Sequence, residues 1–302
     1  MKLLKKLCSI HSPSGEENRI SEFIIDYVNT NMQNWKVKPK IYSGDGFQDS
    51  IILSFGKPKT AIYAHMDSIG FTVKYNNEII KIGGPVVKNG IELIGSDSKG
   101  KVEGKIIKKN EKIFIDFKRE IDRGTSLTFK MNFKEGKDYI QSSYLDNRLG
   151  VWNALKVAEN LENGIIVFSC WEEHGGGSVG FLTNFIHTKY NISQALISDI
   201  TWVTEGVKAG KGVVISLRDS GIPRRSFVNK IITVAKSHNI NYQLEVESSG
   251  GSDGNEIQRS PYPIDWCFIG AAEQNVHSPK EKVHKDDIKS MVEIYEMLMK
   301  EL

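Results

Sequence analysis

The sequence predicts an α/β fold: a mixed central sheet flanked by helices, carrying a small inserted all-β unit. Three observations lead there. After Tyr144, short apolar strands alternate with segments of helical period, the pattern of a largely parallel or mixed sheet covered on both faces. From about Ser68 to Gln141 the texture changes to short β-like runs separated by Asn-Asn, Gly-Gly and Lys-Asn-Glu turns. Several core strands also stop at ionisable residues, and ligands in such sheets sit beyond the carboxyl ends of the strands. Residues 1–67 and 143–302 are therefore assigned to the principal α/β domain and 68–142 to the insertion.

Met1–Cys8 reads as an amphipathic first helix. Ser12-Pro13-Ser14-Gly15-Glu16-Glu17 breaks it and starts a second, with Ser14 and Glu17 spaced as a capping box. Ile20, Phe23, Ile24, Tyr27 and Val28 then recur at helical spacing. Strands are expected at Lys36–Tyr42 and Ser50–Phe55, and the buried strand Thr60–Ala64 delivers His65-Met66-Asp67. Inside the insertion, Phe71–Tyr75, Ile79–Ile82, Gly104–Lys108, Lys112–Phe117 and Ser126–Phe129 are spaced as in a small barrel or sandwich. It reads equally as a lid, an oligomer contact or a plain structural insertion. Next come a helix over Arg148–Leu161 ended by Asn163-Gly164, a strand Ile165–Trp171 and a helix Val179–His187. The remainder alternates: strand Ala195–Asp199, strand Val213–Leu217, helix Arg225–Ser237, strands Tyr242–Val246 and Ile264–Ile269, and a last helix Asp286–Leu302.

Composition narrows the function. The 302 residues are 39% hydrophobic and 25% charged, with 40 basic and 37 acidic side chains for a net charge of +3. That balance gives no reason to propose nucleic acid or a membrane surface as partner. No apolar segment approaches transmembrane length, and the opening apolar run is too short for a signal peptide, so a cytoplasmic protein is expected. Cys8, Cys170 and Cys267 are scattered and odd in number, as buried free thiols rather than a disulfide framework or a zinc-thiolate site.

Chemistry is concentrated around Trp171-Glu172-Glu173-His174, where an apolar run meets two adjacent carboxylates and three glycines. If the strand continues, successive side chains face opposite sides, so Glu172 and Glu173 take different jobs. His65 and Asp67 follow one predicted strand, Asp146 precedes a helix, Asp199 ends another strand, and His277 follows a third. Each alone fits an ordinary role as a cap, turn or loop residue. Together, two histidines and five carboxylates on one sheet edge are costly unless paired or coordinated. Nitrogen and oxygen ligands without thiolate suit Zn²⁺, Co²⁺ or Mn²⁺ in an open site. The run Gly175-Gly176-Gly177 lacks the Gly-Lys-[Ser/Thr] of a phosphate loop, and Ser249–Asp253 lacks the Gly-x-Ser-x-Gly frame of a nucleophile elbow.

These motifs resemble, in order, those of dinuclear-metal aminopeptidases: His65-Met66-Asp67, Leu145-Asp146-Asn147-Arg148-Leu149-Gly150, Trp171-Glu172-Glu173, Ser198-Asp199 and His277-Ser278-Pro279. The chain is most similar to the glutamyl and tetrahedral (TET) aminopeptidase family of the co-catalytic zinc exopeptidase clan, over nearly its whole length. Ser12–Glu17 and Gly250-Gly251-Ser252-Asp253 look like that family too. The resemblance implies two divalent metal ions, zinc foremost, with cobalt or manganese as alternatives. By matching position it implies His65 and Asp199 on one ion, Glu173 and His277 on the other, Asp146 bridging through a segment whose Asp146-Asn147 peptide is cis, Asp67 orienting His65, and Glu172 as general base. It further implies removal of N-terminal residues from short peptides and a homo-oligomer, with Gly251, Ser252 and Asp253 on the substrate side. The chain leaves the family pattern at His174-Gly175-Gly176-Gly177-Ser178 and at Gln274-Asn275-Val276. His174 reads as a substrate contact or as a solvent-exposed loop residue. Alternative readings are another dinuclear-metal amidohydrolase, a non-catalytic metal-binding or assembly protein, and metal-free glycan hydrolysis by a carboxylate pair.

Overall fold

The computed structural model describes residues Met1–Leu302. Its helices are α1 (Lys2–Cys8), α2 (Asn18–Asn31), α3 (Leu145–Ala158), α4 (Val179–Tyr190), α5 (Arg225–Ser237), α6 (Asp253–Arg259) and α7 (Lys285–Glu301). The strands before α3 are β1 (Lys40–Tyr42), β2 (Ile51–Phe55), β3 (Thr60–His65), β4 (Gly70–Val73), β5 (Ile79–Ile82), β6 (Glu92–Asp97), β7 (Gly100–Lys109), β8 (Lys112–Asp116), β9 (Ser126–Phe129), β10 (Lys134–Glu135) and β11 (Tyr139–Ser142). After it come β12 (Gly164–Ser169), β13 (Gln194–Trp202), β14 (Val213–Arg218), β15 (Tyr242–Val246), β16 (Asp265–Gln274) and β17 (Glu281–His284).

Eleven strands form the large mixed sheet, in the order β1-β2-β12-β3-β13-β16-β17-β11-β10, with β14 joining β16 to β15. At its centre β3 lies parallel to both β12 and β13, and β13 lies parallel to β16. Near-continuous apolar runs make these strands, because a sheet covered on both faces buries every residue. On β3 the alternation is clean: Ile62 and Ala64 pack toward α1, α2, α3, α5 and α7, whereas Ala61 and Tyr63 pack toward α4 and α6. Cys8, Cys170 and Cys267 are buried and free, as expected. No helix is long and apolar enough to cross a membrane.

The second sheet has six strands in the order β5-β4-β9-β6-β7-β8, and an antiparallel bridge between Glu78 and Phe114 draws its outer strands together into a barrel-like unit. Its own core includes Phe71, Leu93, Val102, Ile106, Leu127 and Phe129. The turn-rich stretch Ile94–Lys105 is a regular hairpin of β6 and β7. The chain between 134 and 142, expected in the insertion, instead pairs into the large sheet through β10, β11 and β17.

Other differences are local. Ser14 and Glu17 form no capping box; α2 begins at Asn18 without a side-chain cap, because both residues are engaged elsewhere. Strand β13 does not end at Asp199 but runs on to Trp202, and β16 extends to Gln274, since the two remain paired through Trp202 and Glu273. Helix α6 and strand β17 were not anticipated: their seven and four residues are too short for periodicity to declare them.

Helix α3 is held against β13 with little clearance. A Cβ at Gly150 would lie 2.0 Å from the Ser198 carbonyl oxygen and 2.2 Å from Asn147 Oδ1. The Asn147 amide donates to that same carbonyl at 2.9 Å, and Asn153 donates to the Ser198 hydroxyl at 2.9 Å. Close approach here fixes Asp146 relative to Asp199. Gly150→Ala is accordingly expected to cost about 3 kcal/mol, the upper end for overpacking, read as a lowered urea midpoint at unchanged slope.

Candidate metal centre

Four of the expected residues converge from four separate elements, with a fifth between them. His65 ends β3, Asp199 sits within β13, Glu173 follows β12 and His277 follows β16. Asp146, in the first turn of α3, stands between the two pairs: its Oδ1 is 3.3 Å from His65 Nε2 and its Oδ2 3.2 Å from His277 Nε2. Asp199 Oδ2 lies 3.5 Å from His65 Nε2, and Glu173 Oε2 lies 3.3 Å from His277 Nε2. The result is two triads of possible ligand atoms, His65–Asp146–Asp199 and Asp146–Glu173–His277, that share one carboxylate. The Asp146–Asn147 peptide is cis.

Glu172 stands apart from both triads. Its Oε2 is 3.8 Å from His65 Nε2, and its side chain, 18% exposed, is the most accessible carboxylate of the group, against 4% for Glu173. The divergence of these neighbours does not come from strand alternation. They occupy a 3₁₀ turn, Glu172–His174, entered through Trp171 at φ 62° and left through Gly175 at φ 112°. The strand has already ended at Ser169, and the turn aims the two carboxylates differently.

Asp67 organises that turn. Fully buried, it accepts the Glu172 N–H on Oδ1 and the Glu173 N–H on Oδ2, each at 3.1 Å, and Oδ2 also accepts the Ser14 hydroxyl at 2.6 Å. Its Oδ1 lies 3.4 Å from His65 Nδ1. Glu17 accepts the Trp171 N–H at 3.0 Å from the other side. Under Asp146, Glu281 accepts the Leu145 and Asp146 N–H groups at 2.6 and 3.3 Å. Sequence reasoning missed the site roles of Ser14, Glu17 and Glu281. The first two lie in a segment it had assigned to helix capping, and the third in a strand too short to see.

The barrel-like insertion supplies a wall. Gly83 and Gly84, read from the sequence as a turn, pack on the ligands: a Cβ at Gly84 would sit 3.0 Å from His277 Nδ1, and one at Gly83 3.1 Å from Glu173 Oε2. His174 is exposed, and its Nδ1 accepts the Gly83 N–H at 3.3 Å, which joins the turn to the insertion. Val86 N–H donates to the His277 carbonyl at 2.9 Å. Of the three residues expected on the substrate side, only Gly251 lines the cavity over the centre. Ser252 is buried as the N-cap of α6, accepting the Gly254 N–H, while Asp253 is buried and accepts the Ser169 hydroxyl. Helix formation turns both side chains inward.

The electrostatics are those of ligands awaiting a cation. Burial raises Glu173 to about 7 and Asp199 to about 6, and it carries Glu172 well above the usual carboxylate range, aided by Glu173, Asp199 and Asp253. Burial would lower both imidazoles, but Asp199 and Glu172 hold His65 well above its ordinary value, and Asp146 with Glu173 lift His277 to about 12. Asp146 is held below its usual range despite burial by hydrogen bonds to His277 and His65. The shared carboxylate, the all-N/O donor set and the buried Glu173 Oε1 that has no hydrogen-bond partner all fit divalent cations.

A model of the M42 glutamyl aminopeptidase family matches residues 96–294. The chain is 29% identical to the "Putative aminopeptidase" of Acetivibrio thermocellus, over 97% of this chain and 96% of that protein. An aminopeptidase from the archaeon Desulfurococcus kamchatkensis superposes with a TM-score of 0.88 at 22% identity, covering 100% of this chain and 94% of that one. The Pyrococcus horikoshii TET1 peptidase, described as assembling into a tetrahedron or a large octahedral shell, superposes at 0.83 with 24% identity, covering 100% and 99%.

Cations must displace the protons these ligands hold, so binding is expected to release protons. Affinity should fall with pH because both imidazoles hold protons, and fall more steeply below about 7 and then about 6, where Glu173 and Asp199 take up protons as well. Calorimetric zinc titrations of apoprotein in buffers of different ionisation enthalpy measure the release directly.

Proposed function

Since the chain belongs to the M42 glutamyl aminopeptidase family, and so is a metal-dependent aminopeptidase, we propose that two divalent cations, zinc foremost, are held by His65 with Asp199 and by Glu173 with His277, and that Asp146 bridges them. The observation that carries this reading is the pair of triads sharing Asp146, with Glu172 beside them and outside both. Bound there, such cations lower the pKa of water and polarise a carbonyl oxygen.

The protein's own groups do the rest. Glu172 faces the cavity with a carboxylate that accepts no protein hydrogen bond, and burial among other carboxylates makes it an unusually strong base. It takes a proton from the attacking water and returns it to the leaving amine, so one residue serves as base and then acid. Asp67 does not touch the reacting atoms; it keeps the imidazole of His65 aligned and holds Glu172 in place through its backbone N–H. The carboxylates of the cavity outside the ligand set, Glu172, Asp219, Glu245 and Glu247, favour a positively charged peptide terminus over a carboxyl terminus. That preference supports exopeptidase action from the amino end and weighs against a carboxypeptidase.

Glu172→Gln keeps the size and removes the base. It is expected to retain its metal and to lose about 10²- to 10⁴-fold in kcat, measured by single-turnover hydrolysis beside metal analysis of the same sample. Loss of metal together with activity would show Glu172 to be a ligand instead.

A homo-oligomer belongs to the same reading. It is supported by the assembly described for the Pyrococcus horikoshii relative. Sedimentation velocity should give a species well above the 34.0 kDa of one chain.

A further inference from the structure

The cavity over the metal centre, about 230 Å³, does not stop at the ligands. It continues from β13 across β16 to the ends of β14 and β15, where Asp219, Glu245 and Glu247 line it. Two of these carboxylates are more than nine-tenths buried, with Asp219 8% and Glu245 3% exposed. Each is hydrogen-bonded to neutral groups only and lines the cavity. Asp219 Oδ1 accepts the Gly221 N–H and the Asn255 amide, but its Oδ2 accepts nothing. Glu245 Oε1 accepts the Thr201 hydroxyl, and the Ser216 hydroxyl also favours its charged form. No lysine or arginine offsets either group; the charges that act on Glu245 are the carboxylates Asp219 and Glu247. Beside them, Trp202 and Phe268 give the cavity apolar walls, and Trp202 is 42% exposed.

A buried negative charge with no cation beside it is costly, so this end of the cavity is built to be completed by something positive. A glutamyl side chain would add a further carboxylate to three already present. An aliphatic one would shut water away from carboxylates it cannot pair. A lysyl or arginyl side chain lays its methylene stem along the apolar walls and brings its charge to the carboxylates.

We propose that Asp219, Glu245 and Glu247 form a specificity pocket for the side chain of the N-terminal residue, and that the enzyme prefers peptides beginning with lysine or arginine. The proposal rests on the aminopeptidase reading above. It sets this chain apart from the glutamyl preference in its family's description.

The test compares kcat/KM of the zinc-loaded enzyme on amides of lysine, arginine, norleucine and glutamate. Norleucine keeps the α-amine and the stem and lacks only the side-chain charge, so the lysine-to-norleucine ratio isolates the pocket. That ratio is expected to be about tenfold or more, the size of one favourable charged contact. In Glu245→Gln it should fall several-fold toward unity. Glu247→Gln, at a half-buried position, gives the same reading should the first variant fold poorly. Norleucine cleaved as well as lysine by the unaltered enzyme overturns the proposal and leaves the aminopeptidase reading intact. Equal loss on both substrates, with reduced zinc content, overturns it too, because Glu245 would then act through Thr201 on Asp199. Failure to cleave any free-amine substrate overturns both.

Discussion

One buried carboxylate, that of Asp67, sets the relative positions of the catalytic parts. It has no solvent access, and its oxygens accept the backbone N–H groups of the Glu172–Glu173 turn and the Ser14 hydroxyl, with His65 Nδ1 3.4 Å away. A carboxylate so surrounded by donors stays ionised despite burial, and it is indeed held below its ordinary range against the desolvation that would raise it. Through it the end of β3, the turn after β12 and the segment before α2 behave as one unit. Moving any of the three requires breaking a charge-assisted hydrogen bond inside a region from which water is excluded.

Around that hub the protein accumulates negative charge. Asp146, Glu173, Asp199, Asp253, Glu273 and Glu281 are all buried or nearly so, and Glu273 has neither oxygen hydrogen-bonded. Fully buried Arg148 lies beneath them, donating at 3.4 Å to the Asp67 and Ser12 carbonyls. One guanidinium cannot balance so many carboxylates. The remaining compensation comes from protons shared within the cluster or from metal. Folding and metal loading are therefore coupled: ions that bind the folded chain alone add to its stability by mass action.

The α/β class, the flanking helices and the β-rich insertion were legible because they rest on local periodicity and turn chemistry. The candidate ligands were legible only as a set, through the order of their motifs and the resemblance they carry, since each alone fits a cap, turn or loop role. What lay hidden was non-local. Nothing within a few residues of Glu17 reveals that it accepts a hydrogen bond from Trp171, 154 positions away. Read locally, Ser14 and Glu17 look like a cap, and that inference failed because tertiary partners outcompeted the helix terminus. Period-two reasoning reached the right conclusion for Glu172 and Glu173 through the wrong geometry: a 3₁₀ turn after a left-handed residue separates them, not a pleat. For Ser252 and Asp253, a glycine-rich approach suggested an open loop, yet a single turn later the chain becomes α6 and buries them.

The span of the centre along the chain has a consequence for biosynthesis. Its ligands run from His65 to His277, and the support for its central turn begins at Ser14. At ribosomal rates, roughly ten to thirty seconds separate the emergence of Glu17 from that of Trp171. The imidazole of His277 appears later still. The first triad can close only once Asp199 has emerged, and the second cannot close until His277 has followed, when nearly all of the sequence has left the ribosome.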